Sequence, residues 1–226
     1  IVFSDCFCCD AICLYCRPND VRLAAACASL LAELVCRYDP ATDVLIRLGG
    51  IEAVIQAWAF HENTGSDPSV GGIYRSIVRI LTHPLVLGNP GALDIVAELT
   101  ASPIDIAIHG LSSSDKGCAD PAASLALALI AVYPSLADKF VSVPIITAML
   151  QHVTQASPPD PAKNLIRLFQ QICTPHCLSD SGNVLSAAVK FVRRYASAGD
   201  TGSSTIGLEF VVQMMPAGAI QEGCER

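Results

Sequence analysis

From Asn19 to Trp58 the chain reads NDVRLAAACASLLAELVCRYDPATDVLIRLGGIEAVIQAW. Ala and Leu recur at helical spacing from Val21 onward, which predicts a helix over Val21 to Cys36. Tyr38-Asp39-Pro40 interrupts it, because proline removes a donor and disfavours helix at the residue before it. A short segment then ends in Leu-Gly-Gly, and Gly49 to Trp58 opens a further helix. The local unit is therefore helix, break, helix.

The same punctuation returns downstream. Asp67-Pro68, Asp120-Pro121, Asp160-Pro161 and Asp200-Thr201 follow one another at intervals of 53, 40 and 40 residues, with Asn19-Asp20 as a weaker earlier copy. Asp is a strong N-cap, and Pro in the first turn gives up no needed donor, so each pair marks a helix start. The helices so marked are Val21 to Cys36, Ser69 to Leu81, Ala122 to Tyr133, Ala162 to Cys173 and Thr205 to Met215. After each comes a break and a second apolar helix: Gly49 to Trp58, Gly91 to Leu99, Val143 to Leu150 and Asn183 to Phe191. The stretches His61 to Asp67 and Ser112 to Asp120 read as lengthened links, which accounts for the longer interval.

A period near 40 residues built from such helices is that of armadillo and HEAT arrays. Asn19 to Trp58 resembles one complete armadillo repeat, with its Ala- and Leu-rich second helix, the segment LIRLGGI and a third helix. The resemblance covers roughly Pro18 to Tyr195, and later units replace Gly49-Gly50 by Asn89-Pro90-Gly91 or Ser142-Val143-Pro144. It implies an all-α, right-handed superhelical solenoid of armadillo-like or HEAT-like repeats. In that scheme residues 1–17 end a preceding repeat, four repeats occupy 18–66, 67–119, 120–159 and 160–199, and 200–226 begin a further one.

The resemblance also implies a concave groove lined by the third helices and a protein partner held there or on the inter-repeat loops. Glu52, Gln56 and Trp58 of the first complete unit are candidates to line it, as are Lys190, Arg193 and Arg194 of the last. Peptide-binding members place Asn and Trp regularly on that helix; only Trp58 fits here and no repeating Asn follows, which disfavours a transport-receptor role. Arg75 with Arg79, Lys163 with Arg167 and Lys190 with Arg194 each share a helix face, a solvated stripe or a strip for an acidic partner.

Composition narrows the function classes. With 52% hydrophobic and 15% charged residues the chain can bury a sizeable core, and 6% aromatics suits closely packed helices. The net charge is −7, and the 14 basic residues are scattered, which excludes a phosphate-backbone binder. The longest apolar stretch, Ala122 to Tyr133, falls well short of the ~20 residues that span a bilayer. Eleven cysteines, an odd number in a long chain without an Asn-x-Ser/Thr sequon, read as free thiols in a reducing cytosol. The first residue is Ile1, with no signal peptide pattern, so the chain reads as a piece of a longer one.

Chemical motifs are thin. Cys6, Cys9, Cys13 and Cys16 form two Cys-x-x-Cys pairs, but only three residues separate Cys9 from Cys13, too few to wrap a zinc ion. On a helix these positions fall on one stripe with Val2 and Phe3, a buried face closing a preceding repeat; zinc is the alternative. Cys173-Thr174-Pro175-His176-Cys177 reads as an inter-helix turn. His61-Glu62 lacks the second His of a zinc-protease motif, and Ser113-Ser114-Asp115-Lys116 lacks the partner motifs of a Ser-x-x-Lys enzyme. No catalytic residue, cofactor or metal is expected. The function expected is a non-enzymatic protein–protein interaction scaffold or adaptor, a cytoplasmic subunit of a larger assembly of cytoskeletal or ciliary kind. The alternative is the regulatory or targeting arm of a longer enzyme such as a kinase or ligase.

Overall fold

A computed structural model of the chain describes residues 20–62, 67–89, 102–113, 116–156, 158, 162–172 and 181–214. All regular structure among them is helical. The chain divides into two compact units, Ile1–Ala107 and Ile108–Arg226.

In the first unit, α1 (Val21–Arg37) starts where Asp20 Oδ1 accepts from the backbone N–H of Arg22 at 2.9 Å and of Leu23 at 3.2 Å. Its buried stripe of Ala24, Ala28, Leu31, Ala32 and Val35 follows the helical period, and the alanines let another helix approach closely. Pro40 lies in the first turn of α2 (Asp39–Arg47), and α3 (Gly50–Glu62) follows. Gly49 joins them at φ +67°, a left-handed conformation that suits glycine. A methyl group at Gly50 would collide with the Leu45 side chain, so the Gly-Gly pair is set by both backbone and packing.

Helix α4 (Ser69–Leu81) has the bounds predicted for it, and Asp67 Oδ1 accepts from Ser69 N–H at 2.8 Å. It packs along α1 and against α3. Glu33 of α1 bridges Arg37 and Arg79, each at 2.9 Å, so one carboxylate joins α1 to α4. The hydrogen bond from Arg79, with the charges of both arginines, holds the Glu33 carboxyl below its ordinary range. Beyond the short α5 (Pro84–Leu87) comes α6 (Pro103–Ser112), and the division between units falls inside it. The Tyr74 hydroxyl donates to the Ile106 carbonyl at 2.9 Å, a buried bond between α4 and α6.

Helix α6 corrects the reading of long links. Its start is a capping box: Ser102 Oγ accepts from Asp105 N–H at 3.2 Å, while Asp105 Oδ2 accepts from Ser102 N–H at 3.1 Å. An added helix occupies much of the longer interval. The polar run expected as a linker is also shorter, because α7 (Lys116–Val132) already includes Asp120 and Pro121.

That placement overturns Asp120-Pro121 as a helix start. Cys118 and Ala119 are buried with Ala122, Ala123 and Ala126, so the apolar stripe runs on upstream and carries the helix through the proline. Asp120 instead caps a helix distant in sequence. Its Oδ1 accepts from Asn164 N–H at 2.8 Å and Leu165 N–H at 3.3 Å, and its Oδ2 from Asn164 Nδ2 at 3.0 Å, at the start of α10 (Lys163–Ile172). Burial pushes the Asp120 carboxyl above its ordinary range, against the pull of those donors.

Between α7 and α10 lie a 3-10 turn (Pro134–Leu136), α8 (Ala137–Phe140) and α9 (Val143–Gln155). The chain continues through α11 (Ser181–Ser197), Gly199 at φ +79° and α12 (Thr201–Met214). Asp200 caps α12 as expected, accepting from Ser203 N–H at 2.9 Å, and that bond, with one from the Ser203 hydroxyl, holds its carboxyl below the usual range. Helix α10 packs on both α7 and α12, and α9 packs on α11. The Phe169 and Phe210 rings meet at 5.8 Å between α10 and α12. Gly207 lets α12 close on α11, since a methyl there would lie 2.7 Å from Val192 Cγ2. The predicted Asp160-Pro161 start and the helix over Gly91 to Leu99 lie outside the described residues.

Candidate binding surface

Helices α9 and α11 each carry one exposed stripe. On α11 it is Ser186, Lys190, Arg193 and Ser197, and on α9 it is Val143, Thr147, Gln151 and Thr154. Both sets repeat at the helical period because the opposite faces are buried, around Ile145, Met149 and Val153 on α9 and Val184, Ala188 and Phe191 on α11. Thr147 Oγ1 donates to Val143 O at 2.8 Å and Thr154 Oγ1 to Leu150 O at 2.7 Å, so both hydroxyl protons are used within α9. Positive charge on these stripes comes from Lys190 and Arg193, neither of which has an ion pair among the described residues.

Arg194 stands one residue further on, about 100° around the helix. Its Nη1 donates to the carbonyls of Thr154, at 3.1 Å, and Ala156. Helix ends leave carbonyls without internal partners and carry partial negative charge, so the guanidinium caps α9 from α11. Arg194 thus positions two helices instead of facing a partner, a correction to its expected role.

In the first unit, Glu52 and Gln56 sit one turn apart on α3, and Gln56 Nε2 donates to Glu52 Oε1 at 2.9 Å. Gln56 is exposed and Glu52 half-buried. Trp58 departs from expectation: it is 6% exposed, with its ring 5.4 Å from Tyr74 at a tilt of 57°. It is a core aromatic joining α3 to α4 and offers almost no surface to a ligand. The Arg75–Arg79 pair also divides, with Arg75 exposed and Arg79 held by Glu33. Lys163 and Arg167 are exposed on α10, and the positive charge of Lys163 helps lower Asp200.

Among the described residues no group of three or more His, Cys, Asp or Glu side chains is placed to hold a metal. Cys27, Cys36 and Cys118 are free thiols. His61 ends α3 as a buried residue, edge-on to Phe60 at 5.2 Å, so His61-Glu62 belongs to a helix and not to a link. Cys6, Cys9, Cys13 and Cys16, the Cys173 to Cys177 turn, and Ser114 and Asp115 lie outside the described residues.

No protein-family model, curated protein or solved structure matches the chain. No helix among the described residues is long and apolar enough to cross a membrane.

Proposed function

We propose that this chain is an array of armadillo-like or HEAT-like repeats that serves as a non-enzymatic scaffold or adaptor, docking other proteins within a larger cytoplasmic assembly of cytoskeletal or ciliary kind. The observation that carries the reading is the order of packing in the second unit. Helices opening successive units, α7, α10 and α12, neighbour one another, and so do the later helices α9 and α11. Asp120 reaching from α7 to cap α10, and Arg194 reaching from α11 to cap α9, bond like element to like element at separations of 44 and 40 residues. A repeat that buries its apolar face only against its neighbours is built this way.

The docking surface in this reading is the exposed side of α9 and α11, with Lys190 and Arg193 attracting an acidic segment and Val143 and Thr147 offering apolar contact. Glu52 and Gln56 present the corresponding side of α3. The composition supports lasting association over transient contact, since few charges oppose apolar docking. The test is capture of partners from native lysate on the tagged full chain, washed through increasing salt and identified by mass spectrometry. A salt-resistant set of structural proteins is expected. Recovery of chaperones alone, or of nothing, would contradict the scaffold.

A further inference from the structure

Helix α1 buries one stripe against α4 and leaves a second apolar stripe open beside it. Leu23, Leu30 and Leu34 are 43%, 61% and 44% exposed, and half-buried Cys27 lies in line with them. Their positions advance by four, three and four residues, the spacing of a helix–helix seam. Three exposed leucines on one helix face form a surface that water solvates poorly.

The sequence just before α1 repeats this spacing. Val2, Cys6, Cys9, Cys13 and Cys16 advance by four, three, four and three, and between Ile1 and Cys16 only Ser4, Asp5 and Asp10 are polar. A segment so apolar needs a surface to bury against. The two stripes also match in reach: Val2 to Cys16 would span roughly 21 Å as a helix and Leu23 to Leu34 roughly 16 Å. Between them stand Arg17-Pro18-Asn19-Asp20, with Asp20 the N-cap of α1 and Pro18 a residue that ends helices. A link this short joins antiparallel helices.

We propose that Ile1 to Cys16 folds back as a helix antiparallel to α1 and covers the Leu23–Cys27–Leu30–Leu34 stripe. The register follows from the turn. Cys16 meets Leu23, Cys13 meets Cys27, Cys9 meets Leu30 and Cys6 meets Leu34, so every apolar position on one helix finds one on the other. The cysteines are then small hydrophobes packed against leucine, reduced and without metal. The inference stands apart from the scaffold reading, because a helical hairpin closes this face whatever the protein binds.

Cross-linking of the full, reduced chain with a short bis-maleimide tests it, with linked peptides identified by mass spectrometry. The expected product joins Cys13 to Cys27 within one chain, in a yield that does not change with protein concentration. Cys27 linked only between chains, increasingly at higher concentration, would assign the stripe to a second copy and overturn the proposal. Cys27 modified singly, or joined only to cysteines outside residues 6–16, would also overturn it. The variant Leu30→Asp gives a second readout, since Leu30 is exposed and the helices already described do not need it. Amide exchange over residues 1–16 is expected to accelerate at least tenfold while α4 is unchanged; equal exchange there in both proteins would refute the covering helix.

Discussion

The carboxylate of Asp120 holds Asn164 by two hydrogen bonds, 2.8 Å from its backbone N–H and 3.0 Å from its side-chain amide, across 44 positions of sequence. One buried side chain in α7 thereby satisfies orphan donors at the start of α10. Replacing Asp120 by Ala leaves those donors buried without a partner. Denaturant unfolding should show a loss of about 2 kcal/mol, with Asp120→Asn losing less because its amide oxygen still accepts.

The carboxylates of this chain respond to pH with opposite signs. Asp67 and Asp200 have folded pKa values below their unfolded ones, chiefly through backbone hydrogen bonds from Ser69 and Ser203. Their contribution is present above the unfolded value and is lost as pH falls through the folded one. Asp120 is raised by burial, so its titration lowers stability as pH climbs from the unfolded value through the folded one. Unfolding measured across the acid range should therefore show an acid limb that flattens in Asp200→Asn. Asp120→Asn should leave that limb and remove the decline just above it.

Two glycines are required for different reasons, and substitution should separate them. Gly49→Ala places a side chain at φ +67° and should cost about 1 kcal/mol through the backbone alone. Gly207→Ala meets Val192 and Phe191 instead, forcing α12 away from α11, with an expected cost of about 1–3 kcal/mol. Thermal unfolding of the two variants measures both.

The surface and structural basic residues should part in the same way. Lys190→Glu with Arg193→Glu should leave stability within about 0.5 kcal/mol of the parent and release acidic partners at lower salt. Trp58→Ala should cost about 3–5 kcal/mol, because its ring fills the space beside Tyr74. Arg194→Ala should lower stability by about 1–2 kcal/mol through the carbonyls of Thr154 and Ala156. Unfolding midpoints and partner retention on the same preparations check all three.

The helical class and most helix positions were legible because apolar spacing and local caps agree: Asp67-Pro68 with the run from Ser69 to Leu81 is the clearest instance. Asp120-Pro121 misled because the same dipeptide can stand inside a helix when burial upstream extends it, and its true partner lies far along the chain. The start of α6 was readable in principle, since Ser102-Pro103-Ile104-Asp105 is a capping box with proline in the first turn. Spacing alone could not separate Arg193 from Arg194, where one residue of rotation divides an open surface from a helix cap. Nor could it tell whether Trp58 faces a groove or a neighbouring Tyr.

Amide hydrogen exchange of the full chain, free and bound to a partner recovered at high salt, tests the docking surface most directly. The account predicts slowed exchange in Val143–Gln155 and Ser181–Ser197, diminished when Lys190 and Arg193 are both replaced by Glu. Exchange in those two helices that is the same in the free and bound chain would contradict it.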